Sequence, residues 1–262
     1  MRFNCGPIVD WIKIFSLGLV LMASCLTVST AAQDALNPDT VDVEAWVGAK
    51  LSVNLGKSLR LDLAEQIRTK SNLATYAHHH HQAAMSWSPE WNKVSDAQYI
   101  TLGLRHASKL DDTGGKQGFE RSVRTFAQYG GVAESDHWAL SWRASYQQTR
   151  ALYLAGGDDP TLEPIQSKWR YRLSLQHNFE SWDADPELAY EYFPEGEENA
   201  DYPEPRHRWR LSTDFKFDKG EHLKLFIQRQ SGPELYYGLA RTQIRWAIGL
   251  TYRHLTKLKF KK

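Results

Sequence analysis

The segment Arg206 to Phe217, RHRWRLSTDFKF, sorts its side chains by parity. Its even positions are Arg206, Arg208, Arg210, Ser212, Asp214 and Lys216; its odd positions are His207, Trp209, Leu211, Thr213, Phe215 and Phe217. A β-strand sends alternate side chains to opposite faces, so the segment has one charged face and one largely apolar, aromatic face. A helix would mix the two sets. Any fold for this chain must therefore offer each strand two different environments.

The same alternation recurs along the chain. Val41 to Val53 puts Val43, Ala45, Val47, Ala49 and Leu51 opposite Asp42, Glu44, Lys50 and Ser52, with Trp46 as the exception. After the turn Asn54-Leu55-Gly56-Lys57, Leu59, Leu61, Leu63 and Ile67 oppose Arg60, Asp62, Gln66 and Arg68, and Glu65 interrupts the apolar face. A third strand ends in Ala83, Met85, Trp87. A fourth sets Ile100, Leu102 and Leu104 against Tyr99, Thr101 and Arg105. The fifth, Phe119 to Tyr129, turns Glu120, Ser122, Arg124 and Gln128 one way and is followed by Gly130-Gly131, read as the start of a turn. Trp138 to Gln147 and Trp169 to Gln176 alternate cleanly. Leu188, Tyr190 and Tyr192 oppose Glu187 and Glu191. Beyond the opening segment, Leu223, Leu225 and Ile227 oppose Lys224 and Gln228, with Phe226 on the polar side. Ser231 to Leu239 reads as a loop, and Ile244 to Tyr252 as a last strand.

Two architectures fit alternation of this kind: a soluble β-sandwich or lipocalin-like barrel with the apolar face inside, or a membrane-spanning barrel with it outside. The connections read as shorter after odd strands and longer after even ones, the asymmetry of outer-membrane barrels. Aromatic residues are abundant, with 10 Trp, 12 Tyr and 10 Phe, and Trp and Tyr gather near strand ends where interfacial girdles form. The expectation is an all-β, antiparallel transmembrane β-barrel of about 10–12 strands after a cleaved signal peptide. Eleven strands are counted, whereas bacterial single-chain barrels have even numbers.

The N-terminus supplies the address. Arg2 and Lys13 precede the apolar run Ile14 to Val28, and Ser29, Thr30, Ala31 and Ala32 follow. That is the layout of a secretory signal, giving residues 1–32 as signal peptide and 33–262 as barrel. A lipoprotein signal acylated at Cys25 is the rival reading of the same stretch. Cys5 and Cys25 both fall inside it, so the exported chain is held without disulfides and carries no Cys-based metal site. A formal net charge of +1 gives no electrostatic case for nucleic acid.

The layout resembles the bacterial family catalogued as domain of unknown function 2490. The resemblance rests on Glu44-Ala45-Trp46, on Lys57 to Arg68, on Phe119-Glu120-Arg121, on KWRYRLSLQHNF and RHRWRLSTDFKF, and on the closing Gly249-Leu250-Thr251-Tyr252. It implies an uncharacterised, porin-like barrel in the outer membrane of a Gram-negative bacterium, and no reaction.

Parity nominates a lumen charge cluster: Arg60, Asp62, Arg68, Arg105, Glu120, Arg124, Arg143, Arg170, Arg172, Glu187, Glu191, Arg208, Arg210, Asp214 and Arg245. Such a set forms either a narrow channel for anionic solutes or a structural plug of arginine–carboxylate pairs. His78-His79-His80-His81 has the composition of a metal tract. Neighbours on a strand alternate faces, so at most two of the four converge, and no metal site or cofactor is assigned. His106 and Ser108 share the outward parity of Leu104, as the His-x-Ser pair of outer-membrane phospholipases does. The alternative function is thus a phospholipase-like hydrolase using His106 and Ser108, with Glu120, turned inward, where that pattern has an Asn. The acidic loop Glu195 to Glu204 is a solvated run suited to divalent ions and, through them, lipopolysaccharide. The partners expected are outer-membrane lipid and an unidentified small solute. A non-enzymatic outer-membrane barrel leads; a secreted soluble β protein is the remaining alternative.

Overall fold

The computed structural model describes residues 42–70, 73, 75–89, 96–111, 118–154, 159–179, 184–194, 205–217, 220–236 and 239–257. The expected signal peptide and the acidic loop lie outside the described residues. Eleven strands follow in chain order: β1 (Asp42–Asn54), β2 (Leu59–Lys70), β3 (Thr75–Trp87), β4 (Asp96–Asp111), β5 (Gly118–Glu134), β6 (Trp138–Tyr153), β7 (Gln166–His177), β8 (Ala184–Phe193), β9 (Arg206–Lys216), β10 (Glu221–Tyr236) and β11 (Leu239–Lys257). Each pairs antiparallel with the next, and β1 meets β11 to close a barrel.

The closing seam is parallel, running from Asp42↔Arg245 to Asn54↔Lys257. This follows from the count. Every antiparallel step reverses the chain, so in a meander of eleven strands the first and last point the same way. The even number expected from bacterial precedent does not hold here. Closure through a parallel pair removes both sheet edges all the same.

Two stretches expected as turns or loops are strand. Gly130-Gly131 lies inside β5, and the chain turns instead at Ser135 to His137, where Ser135 N–H bonds Trp138 O at 2.8 Å. The glycines make room for rings. A Cβ on Gly131 would stand 2.9 Å from Trp142 Nε1, and one on Gly130 would stand 2.7 Å from Tyr99 Oη. Aromatic side chains laid over strand glycines restore the packing the glycine lacks. The second stretch is Ser231 to Leu239. There β10 and β11 continue as a hairpin from Ser231↔Ile244 to Tyr236↔Leu239, joined at 237–238. The long-after-even pattern of connections holds after β6 and β8 but fails elsewhere: the gaps after β1 and β2 are equal, the one after β3 is longer than the one after β4, and at β10 the length goes into strand. Among the described residues β9 pairs β10 only as far as Ser231, so Pro233 lies where β10 has a ladder partner on the β11 side alone.

The two faces divide as parity dictates. Outward stand Leu102, Trp209 and Ile248, at 61%, 47% and 58% exposure, with Met85, Ile100, Leu140, Trp169, Leu173, Leu211 and Trp246 on the same surface. Inward stand Ser52, Asp62, Ser86, Thr101, Ser145, Ser174, Glu191 and Gln228, all buried. The interior is polar and the exterior apolar, the inverse of a soluble domain. Short ladders of hydroxyls and carboxylates satisfy the interior toward the β1–β2 end: Ser52 donates to Asp62 at 2.7 Å, and Ser86 meets Thr101 at 2.7 Å. Lys50 and Arg60 flank Asp62 at 3.2 and 3.3 Å.

Two residues that broke the alternation meet each other. Trp46 of β1 and Phe226 of β10 both point inward and pack edge to face, 5.7 Å between centroids, beside Ala247. Gly249 of β11 makes the contact possible: a Cβ there would fall 2.0 Å from Phe226 Cζ.

Candidate functional site: an arginine-lined lumen

The barrel encloses a cavity of about 870 Å³. Its walls come from β1 to β9 and from β10 and β11, because every strand contributes alternate residues to it. Arg60, Asp62, Arg68, Arg105, Glu120, Arg124, Arg143, Arg170, Arg172, Glu191, Arg208 and Arg210 line it, together with Arg206, His78 and His80. Glu187, Asp214 and Arg245 are placed just beyond. Glu187 bonds Arg172 and Lys224 at 2.6 and 3.0 Å, Asp214 faces His222 and Arg253 at 3.4 and 3.5 Å, and Arg245 lies 3.9 Å from Glu44.

Charge is shared unevenly within this set. Glu191 alone receives Arg143, Arg170 and Arg208, at 3.2, 2.9 and 2.9 Å. One carboxylate cannot neutralise three guanidiniums. Neutral acceptors also hold arginines, Arg208 among them. Arg105 donates through Nε and Nη2 to Gln82 Oε1 at 3.0 and 2.5 Å. Arg208 does the same to Gln230 Oε1 at 3.1 and 2.6 Å, and Arg210 to Gln228 Oε1 at 3.1 and 2.6 Å. Arg124 donates to Thr149 Oγ1 at 2.9 Å and Arg68 to Gln66 Oε1 at 2.9 Å. An amide oxygen fixes the direction of a guanidinium fork and leaves its charge in place.

Aromatic rings lie beneath four of the same arginines. Arg68 stacks over Trp46 at 3.7 Å, Arg210 over Phe226 at 4.4 Å, and Arg170 and Arg208 over Phe193 at 4.9 and 5.1 Å. A ring face attracts a cation without cancelling it. Trp46, Phe193 and Phe226 thus act as a low-polarity floor on which the arginines are spread. Arg170 Nε is buried with no hydrogen-bond partner among the described residues.

The sequence reading put Trp46, Phe226, Gln66 and Gln228 on the polar face but gave neither the glutamines nor the rings a role. Parity puts Gln82, Gln228 and Gln230 inward, but only the strand register shows that each stands directly across from an arginine: Gln82↔Arg105, Gln228↔Arg210, Gln230↔Arg208.

A second polar cluster lies outside, interrupting the apolar surface of β2 to β4. His79 and His81 point outward from β3 and His78 and His80 into the lumen. Across from His81 on β2 is Glu65, whose Oε1 lies 2.8 Å from His79 Nε2 and 3.9 Å from His81 Nδ1. On the other side, β4 brings His106 opposite His81, rings stacked at 6.4 Å, and Ser108 opposite His79. His106 and Ser108 are thus on the outer surface, two residues apart. The residue opposite His106 on β5 is Val123 and the one opposite Ser108 is Arg121, while Glu120 lines the lumen, so β5 sets no carboxylate or amide directly across from the pair.

No family model matches the chain, and no curated protein matches it.

Proposed function

We propose that this chain is a bacterial outer-membrane barrel whose arginine-lined lumen forms a narrow, anion-selective channel. The observation that carries the reading is the mode of arginine binding. Arg105, Arg210 and Arg124, held by the neutral Gln82, Gln228 and Thr149, and Arg143, Arg170 and Arg208, sharing the single Glu191, leave a concentrated positive charge around a cavity of about 870 Å³. A structural plug built from arginine–carboxylate pairs would carry matched charge. Rings of like charge in a low-dielectric wall draw and select counter-ions.

The outward apolar surface supports the membrane address. Leu102, Leu211, Trp209 and Ile248 would be costly to expose to water over so wide an area, and hydrocarbon would cover them. This favours the membrane barrel over a secreted soluble protein. The signal layout of residues 1–32 and the resemblance to the domain of unknown function 2490 barrels point the same way.

Purified protein in planar bilayers under a salt gradient tests the channel. Unitary steps are expected, with a reversal potential on the anion side. Gln228→Glu with Gln230→Glu keeps both forks bonded but adds two negative charges beside Arg210 and Arg208, and should move the reversal potential toward the cation side. A silent bilayer, or cation preference in the unaltered protein, overturns the proposal.

A further inference from the structure

The geometry points to a divalent transition-metal site of the zinc class on the outer surface of the barrel, formed by Glu65, His79 and His81. Its two histidines stand on the opposite face of β3 from the lumen-lining His78 and His80, and the site does not depend on the channel reading.

Three features converge. First, His79 and His81 are two apart on β3, so both rings leave the same face, 4.3 Å between centroids. Second, the antiparallel register sets Glu65 of β2 directly opposite His81, and its carboxylate reaches both rings, at 2.8 and 3.9 Å. One ligand atom from each residue lies within 4.8 Å of the other two. Metal–ligand bonds of about 2.0 Å place tetrahedral ligands roughly 3.3 Å apart, so small side-chain rotations close the site. Third, the donor chemistry fits: two imidazoles and a carboxylate suit zinc and its neighbours and are poor for calcium, which takes oxygen only.

The surroundings favour an ion there. Glu65 sits on an otherwise apolar surface between Leu63 and Ile67, half-buried with His79, so its charge is more costly than on an ordinary solvated face. A divalent cation would offset that cost. Three protein ligands leave a fourth position open, and the His106 ring lies alongside His81, 6.4 Å between centroids.

The alternating tract supplies its own control, because His78 and His80 belong to the same run but face the lumen. Zinc alone is titrated by calorimetry into the full chain folded in detergent micelles. One ion per chain is expected. His79→Ala, His81→Ala and Glu65→Gln should each weaken binding by roughly tenfold or more, and His78→Ala with His80→Ala should leave it within about twofold. Substituting cobalt should give the intense visible bands of a four-coordinate site, lost in the Glu65→Gln protein. Strand circular dichroism confirms that each variant is folded. No stoichiometric binding, equal weakening by the inward and outward pairs, or indifference to Glu65→Gln overturns the site; the last two outcomes would mean that the histidine run chelates by itself.

Discussion

At the scale of single residues, the interior is decided by which neighbour each side chain meets across the sheet. Phe226 is an aromatic residue on a polar face, tolerable because Gly249 leaves a hollow and Trp46 supplies a ring. Arg210 then lies over Phe226 while Gln228 holds its fork, so one glycine supports one element of the charged wall. A methyl group at position 249 would strike the Phe226 ring. Gly249→Ala should cost about 1–3 kcal/mol, the usual penalty for overpacking. Adding Phe226→Leu should recover most of it, measured by urea unfolding in lipid vesicles. A Gly249→Ala protein as stable as the original would show that the ring is free to move and that the wall does not rest on it.

At the scale of elements, the seam is the informative join. Strand identity was legible in the chain: eleven alternating stretches are read and eleven are present, since period two is a local property. Strand ends were less legible. Gly130-Gly131 and Ser231 to Leu239 have turn-like composition, yet ladder bonds and overlying rings carry the strands through them. The direction of the β1–β11 pair was not legible at all, being set by the parity of the strand count. Cysteines at Val47 and Leu250, Cα partners across the seam, should form a disulfide on oxidation when Cys5 and Cys25 are replaced by serine. The unfolded, oxidised chain would then run as a ring on a denaturing gel. Val47 paired with His254 lies four residues out of register and should not cross-link. The reverse pattern, or none, would break the eleven-stranded closure.

At the scale of the whole molecule, the barrel turns its apolar side chains out and its charges in. Trp169, Trp209 and Trp246 stand on the outer surface, while Trp46, 4% exposed, is inside. Brominated lipids should therefore quench much of the tryptophan emission in vesicles. Trp209→Phe and Trp169→Phe should each reduce the quenched fraction, and Trp46→Phe should not. Emission untouched by brominated chains would remove the membrane reading and with it the channel. The chain alone determined that every strand has a charged and an apolar face, because side-chain direction depends only on position along one strand. It also nominated the arginines. Tertiary structure decided what those side chains meet: glutamines across from Arg105, Arg208 and Arg210, a tryptophan under Arg68, and a glutamate beside two histidines. Those meetings depend on register between strands and on closure between residues some two hundred positions apart, which no local pattern encodes.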